Sequence, residues 1–194
     1  MIIGITGGTG CGKTTALSAI TQLGGKVLDC DAIYHDLLKT DTEMLDAIAH
    51  AFPGVVTDGI LDRKKLGALV FHDQDALQTL NAITHTRVAH TILKMLEEKC
   101  DLVAIDAIAL FESGLAALCD VTVAITAPED LRIQRIMARD NISYDYAKSR
   151  LDAQPSQEEF AKKCDYVLHN DGTEVAFAHQ CLAFFKELAI IKET

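Results

Sequence analysis

The stretch GGTGCGKT, Gly7–Thr14, follows a short apolar run, MIIGIT, and precedes a segment of helical character. It matches the pattern GxxxxGK[ST] at every fixed position, in the strand–loop–helix context that this pattern requires. Glycines allow the backbone to curl so that successive N–H groups point at phosphate oxygens. The helix that follows adds a positive partial charge at its N-terminus. The sequence therefore predicts a phosphate-binding loop.

Two side chains of this loop are candidate ligands in their own right. Lys13 can reach the β- and γ-phosphates of a nucleotide, and the Thr14 hydroxyl can ligate Mg²⁺. Thr15 either touches phosphate or caps the helix. We expect the phosphates to be bound by the loop and the first helical turn: Gly8, Gly10, Cys11, Gly12, Lys13, Thr14 and Thr15.

Cys11 within the loop has two interpretations. A helix N-terminus can lower the pKa of a thiol, which would suit a redox switch. Alternatively, Cys11 is a small residue tolerated where the backbone does the binding. No partner thiol stands nearby in the sequence, so we favour the second interpretation.

Composition limits the partners that this chain can have. Its formal charge of -10 argues against general binding of nucleic acid or anionic membranes. No apolar run reaches the roughly 18 residues of a membrane span. Six scattered cysteines without a CxxC pair, and no leader after Met1, indicate a reducing, cytoplasmic location. We expect a monomer or a weak homo-oligomer.

Short runs rich in Val and Ile alternate with helical patterns, which favours a parallel sheet covered by helices. Helices are predicted from Lys13 to near Gly24, from near Pro128, and from about Thr173 to Ile190. Between Asp31 and Cys100 the strand signals vanish, which predicts a helical insertion over residues 31–100 with a turn at Asp58-Gly59. The five predicted strands are Met1–Thr6, Lys26–Cys30, Leu102–Asp106, Val121–Thr126 and Asp165–Leu168.

Carboxylates follow two of these strands. Asp29-Cys30-Asp31 stands where the second strand ends, at the edge where parallel sheets form their binding crevice. Asp31 suits a general base for an acceptor hydroxyl, or equally an N-cap of the following helix. Asp106 ends the apolar run LVAID, a Walker B pattern whose acid often holds Mg²⁺.

Three arginines, Arg132, Arg135 and Arg139, recur at helical spacing, and Arg150 follows after a short polar segment. Their spacing places the first three along one helix face. Such a stripe is either a solvated basic face or a lid, over residues 128–154, that closes on a transferred phosphoryl group. In a chain of charge -10, we favour the lid.

Assembled, these stretches resemble the dephospho-coenzyme A kinase family over nearly the whole chain. Within the resemblance, Thr86 and Ile108 stand where the family usually has proline. The segments that show it are IIGITGGTGCGKTT, VLDCDAIYH, LDRKKLGALVF, LNAITHTRV, IDAIALFESGL, RIMARDNISYDYAKSRLDAQ and DYVLHNDG.

The resemblance implies a three-layer α/β P-loop kinase fold across residues 1–194, with a five-stranded parallel sheet. It implies phosphorylation of the ribose 3′-hydroxyl of dephospho-CoA by ATP with Mg²⁺. Asp31 becomes the base and region 31–100 holds the acceptor. The resemblance assigns further roles by position: Arg135 and Arg139 in the lid, Asn170 and Gly172 near the adenine, and His85, Arg87, Phe111 and Glu112 near the acceptor. Alternatively, His85 is a histidine on a helix surface with no role in binding.

Two other functions fit the same loop. A kinase for another small acceptor, such as a nucleoside monophosphate, would share sheet, loop and lid. A regulatory nucleotide-binding module would lack transferase activity, but it would also be expected to lack Asp31 or the lid arginines. A guanine-specific GTPase is disfavoured because NKxD and DxxG occur nowhere in the sequence.

Overall fold

The computed structural model describes residues 1–191. Its strands run β1 Ile2–Thr6, β2 Lys26–Asp29, β3 Val56–Thr57, β4 Ile60–Leu61, β5 Val103–Asp106, β6 Val121–Thr126 and β7 Tyr166–His169. Its α-helices run α1 Lys13–Gln22, α2 Cys30–Thr40, α3 Thr42–Ala51, α4 Arg63–Val70, α5 Gln74–Leu96, α6 Glu129–Asp140, α7 Tyr144–Asp152, α8 Gln157–Lys163 and α9 Glu174–Ile191.

The main sheet has five parallel strands in the order β2-β5-β1-β6-β7. Each predicted strand is found, with bounds within one residue of those read from the sequence. The prediction of a parallel α/β sheet is therefore confirmed. β1 lies at the centre, so the loop that follows it emerges from the middle of the sheet's carboxyl edge.

The chain divides into two compact units, one of residues Asp29–Lys99 and one of Met1–Leu28 with the chain from Cys100 onward. In the larger unit, α1 and α9 supply apolar side chains to a core shared with the central strands. Two of the largest fully buried side chains, Phe177 and Phe185, lie on α9. No helix of residues 1–191 is long and apolar enough to cross a membrane.

The smaller unit is built from α2 to α5, as the helical pattern predicted, but the expectation that it lacks strands was wrong. β3 and β4 form an antiparallel hairpin around Asp58-Gly59, where both residues have positive φ. The sequence signalled the turn, but two-residue strands are too short to show alternation. The unit has its own core, centred on Met44, Ile48 and Leu66.

Helix α5 is continuous through Thr86, the position where the resemblance led us to expect proline. The Thr86 hydroxyl donates to the Ala82 carbonyl at 2.7 Å, inside the helix. Proline there would remove a helical N–H and clash with that carbonyl, which bends or breaks a helix. Threonine therefore keeps this helix regular on both sides of His85.

Arg87 on α5 is held within the smaller unit by two carboxylates. Its Nε donates to Asp41 and its Nη1 to Glu43, each at 2.6 Å. Asp41 also caps α3 by accepting from the Met44 N–H at 2.9 Å. Burial by itself would raise the pKa of Asp41, but the hydrogen bonds and charge of Arg87 lower it below its usual value.

Asp41→Ala should lower the free energy of unfolding by at least about 1 kcal/mol, the usual cost of losing a helix cap. Asp41→Asn keeps the capping oxygen and loses only the ion pair with Arg87, so its loss should be smaller. Because the folded pKa of Asp41 is lowered, the stabilisation is complete above about pH 4 and declines as pH falls further.

Urea unfolding of wild type, Asp41→Asn and Asp41→Ala between pH 7 and pH 3 measures both effects. The gap between wild type and Asp41→Asn should close toward pH 3. A gap that is constant across this range would show that the ion pair does not stabilise the fold.

Candidate active site

The phosphate loop connects β1 to α1 and is shaped by its last glycine. Gly12 is the N-cap of α1 with φ of 100°, a left-handed conformation. A Cβ at Gly12 would lie 2.2 Å from Nδ2 of Asn170, so a side chain is excluded by space as well as by backbone conformation. The Lys13 ammonium donates to the Gly7 carbonyl at 2.9 Å, across the mouth of the loop.

The buried side chain of Asn170 binds the backbone of the phosphate loop. Its Nδ2 donates to the Cys11 carbonyl at 2.9 Å, and its Oδ1 accepts from Arg135 at 3.2 Å. Its backbone N–H donates to the Thr126 carbonyl, which fixes it beside the end of β6. Both ends of its amide are thus bound to protein, and contact with an adenine through Asn170 or the exposed Gly172 stays a prediction.

The arginines of α6 differ in environment. Arg132 is buried, and Arg135 reaches the loop by donating to the Gly10 carbonyl at 3.3 Å. Arg139 is largely exposed and bound to its neighbour Asp140 through two hydrogen bonds. Hydrogen bonds from Arg139 and Arg150 hold the pKa of Asp140 well below its usual range. A solvated basic face is therefore wrong for Arg132 and Arg135, while phosphate binding by Arg139 stays a prediction.

The two aspartates after β2 have separate positions. Asp29 is the N-cap of α2, and its carboxylate accepts from the Ala32 N–H at 3.0 Å. The alternative in which Asp31 caps this helix is therefore wrong. Asp31 lies in the first turn of α2 with an exposed side chain. Because Asp29 caps the helix, the Asp31 side chain is not used for capping, and its role as a general base stays a prediction.

Thr14 and Asp106 are the candidate magnesium ligands. Thr14 lies in the first turn of α1, and Asp106 ends β5, opposite Ile5 in the register with β1. Among residues 1–191 no cluster of three or more metal-ligating side chains occurs. A Mg²⁺ site needs no such cluster, because Mg²⁺ is usually held by one or two protein oxygens together with substrate phosphates and water. The hydroxyl and carboxylate oxygens present suit this hard cation.

The segment after β5 carries Phe111 and Glu112. The Ile108 carbonyl accepts from the Thr6 hydroxyl at 3.1 Å, which ties this segment to the end of β1. Glu112 accepts from the Lys163 ammonium at 2.6 Å, and that ammonium lies 5.8 Å from the centre of the Phe111 ring. Phe111 and Glu112 are thereby fixed against α8, although contact with an acceptor stays a prediction for both.

His85 and Arg87 lie two residues apart on α5 in the smaller unit. His85 is half-buried, and Arg87 is engaged by Asp41 and Glu43 as described above. For Arg87 to bind an acceptor phosphate, the phosphate would have to share the guanidinium with these carboxylates. Binding of acceptor phosphate by either residue stays a prediction.

A cavity of about 770 Å³ lies beside α6 and α8. Its lining includes Thr126, Arg132 and His169 but none of Gly7–Thr14. Five carboxylates also border it and disfavour a polyphosphate: Glu129, Asp152, Glu158, Glu159 and Asp171. The loop, where Lys13 and Arg135 bind backbone carbonyls, is the better candidate for the nucleotide phosphates, and their binding there stays a prediction.

The Cys11 thiol is buried against the loop. Burial raises its pKa, although the positive charges of Lys13 and Arg132 act in the opposite direction. All six cysteines lie within the described residues and are free thiols. A redox switch needs an exposed thiolate, so the structure favours the interpretation of Cys11 as a small, inert loop residue.

A central phosphate loop with its lysine, an adjacent arginine and a five-stranded parallel sheet define a P-loop nucleotide-binding protein, the class to which the small-molecule kinases belong. The dephospho-CoA kinase family model matches residues 1–175. The dephospho-CoA kinase of Geobacillus kaustophilus is 35% identical over 196 residues, 96% of each chain. The chain therefore belongs to the dephospho-CoA kinase family.

Solved structures agree with this assignment. A crystal structure from Thermus thermophilus has a TM-score of 0.82 at 34% identity, covering 97% of each chain. Dephospho-CoA kinase from Campylobacter jejuni has a TM-score of 0.70 at 28% identity, covering 98% of each chain. The resemblance seen in the sequence is thus confirmed.

In the folded protein at neutral pH, iodoacetamide should leave Cys11 unmodified, because its thiol is buried and its pKa is raised. The half-buried Cys100 should react faster and serves as an internal comparison. In urea both should be labelled, and peptide mass spectrometry reads each site. Rapid labelling of Cys11 in the folded protein would restore the redox interpretation.

Proposed function

We propose that this kinase transfers the γ-phosphoryl group of ATP to the ribose 3′-hydroxyl of dephospho-CoA, giving CoA and ADP. This is the final step of coenzyme A biosynthesis. The observation on which the proposal rests is a complete, buttressed phosphate loop in a chain whose family model extends over residues 1–175. Membership of the family supports dephospho-CoA as the acceptor. The phosphate loop supports ATP as the phosphoryl donor.

ATP would bind with its β- and γ-phosphates in the loop. The backbone N–H groups of the loop, the helix α1 N-terminus and Lys13 supply positive charge there. The Lys13 ammonium donates a hydrogen bond to the Gly7 carbonyl across the loop. From this position it would donate to a phosphate oxygen instead when ATP binds. Arg135, held beside the loop, would contact the nucleotide, and Arg139 would leave Asp140 to meet the transferred group as the lid closes.

Asp31 would act as the base. Its carboxylate would accept the proton of the 3′-hydroxyl while that oxygen bonds to the γ-phosphorus and the bond to the ADP oxygen breaks. An exposed aspartate in the first turn of a helix, with the cap already supplied by Asp29, supports this role. The larger part of the catalysis expected from Asp31 is to hold the hydroxyl in line with the phosphorus–oxygen bond that breaks.

Thr14 and Asp106 would hold Mg²⁺, directly or through water. When bound, Mg²⁺ would offset the negative charge of the phosphates. The acceptor would be held by residues 31–100 and by the segment around Phe111 and Glu112, with His85 and Arg87 near its phosphates. Residues 128–154 would form the lid. We further propose a cytoplasmic protein that is a monomer or a weak homo-oligomer.

Asp31→Asn and Asp31→Ala should lower kcat by 10²–10⁴-fold, the usual contribution of a general base. The affinity for ATP should change little, because the side chain acts on the acceptor. Steady-state kinetics measures kcat, and direct titration with ATP measures the affinity for ATP separately. Asp36→Asn, an exposed aspartate on the same helix, is the matched control and should retain wild-type activity. Turnover of Asp31→Ala at the wild-type rate would remove the base assignment.

Offered dephospho-CoA, AMP and CMP in equal amounts with ATP and Mg²⁺, the protein should phosphorylate dephospho-CoA in large preference. Product mass should rise by one phosphate, and a 3′-specific nucleotidase should remove it. Comparable phosphorylation of all three acceptors would instead indicate a broad nucleotide kinase. ATP binding without transfer to any of them would indicate a regulatory module.

A further inference from the structure

Thr9, in the middle of the phosphate loop, has its three polar groups bound by side chains from outside the loop. Its N–H donates to Oε1 of Gln154 at 2.8 Å, and its hydroxyl accepts from Nε2 of Gln154 at 2.8 Å. Its carbonyl accepts from Nε of Arg132 at 2.9 Å. We call Gln154 and Arg132 the Thr9 clamp. Since these bonds occupy Thr9, phosphate binding falls to the N–H groups of other loop residues.

The Thr9 clamp lies directly against the loop backbone. A Cβ placed on Gly8 would be 2.3 Å from Nη2 of Arg132 and 3.2 Å from Oε1 of Gln154. Arg132 is only 5% exposed, so its guanidinium is packed in place rather than free to move in solvent. The absence of a side chain at Gly8 is therefore a requirement of the clamp.

Gln154 stands where the predicted lid ends. It follows the last residue of α7 by two positions, and its own N–H donates to the Leu151 carbonyl. Helix α7 packs on α6 through a small apolar cluster of Ile133, Ile136, Ala147 and Leu151. A displacement of α7 would therefore be transmitted to Thr9 through Gln154.

We propose that Gln154 is a positioning residue for nucleotide binding, which holds Thr9 so that the neighbouring N–H groups of the loop stay directed at phosphate. It also joins the helix pair α6–α7 to that loop. A loop without this contact must be ordered by the nucleotide itself, and that ordering weakens binding. The inference rests on the proposed function only in that the loop binds ATP.

The test is direct calorimetric binding of ATP and ADP to full-length variants in the absence of any acceptor. Gln154→Ala removes two hydrogen bonds and should raise both dissociation constants roughly tenfold. Thr9→Val keeps the shape and removes only the hydroxyl bond, so it should raise them about threefold. In the Thr9→Val background, Gln154→Ala should have a smaller effect than in wild type, because one bond is already lost.

Gln134→Ala, an exposed amide on α6, is the matched control and should bind ATP like wild type. Thermal melting verifies that each variant is folded, and the KM for dephospho-CoA should be unchanged by Gln154→Ala. Wild-type ATP affinity in Gln154→Ala, an equal rise of KM for both substrates, or additive effects with Thr9→Val would overturn the proposal. Because the calorimetric binding is measured without acceptor, an acceptor other than dephospho-CoA would contradict the proposed function and leave the measured ATP and ADP affinities intact.

Discussion

The carbonyl of Cys11 accepts a hydrogen bond from the buried amide of Asn170, and the conformation of the phosphate loop depends on this contact. The amide lies so close to Gly12 that no side chain fits there. Asn170 is itself held by the Thr126 carbonyl and by Arg135. Three parts of the chain, distant in sequence, therefore converge on one loop. A buried amide without these partners would cost free energy, so each of the three contacts helps to keep the others in place.

Positive charge is concentrated at the phosphate loop, although the chain as a whole is acidic. The chain has a net charge of -10, yet Lys13, Arg132 and Arg135 each bind a carbonyl of the phosphate loop. Carbonyl oxygens neutralise none of this positive charge, whereas Arg139 and Arg150 are paired with Asp140. Three positive side chains thus gather at the loop of a protein whose net charge is negative. This suits an anionic nucleotide while still disfavouring nonspecific polyanion binding.

Much of the fold could be predicted because its signals are local. Buried parallel strands appear as apolar runs, and a phosphate loop has a fixed spacing, so both were located within a residue. The hairpin of β3 and β4 was missed because two-residue strands leave no alternation to detect. Whether Asp31 is a general base or the cap of the following helix was also undecidable from the sequence, since aspartate at that position suits either role.

The sequence by itself determined the sheet, the loop, the family and the residue types available for phosphoryl transfer, because each is written in short contiguous patterns. Only the tertiary structure decided which side chains support the loop. Gln154 contacts Thr9 across 145 positions, and Asn170 contacts Cys11 across 159. Such contacts leave no periodicity or spacing in the chain. They arise because α7 packs on α6 and β7 pairs with β6, which brings polar groups together where burial requires them to be satisfied.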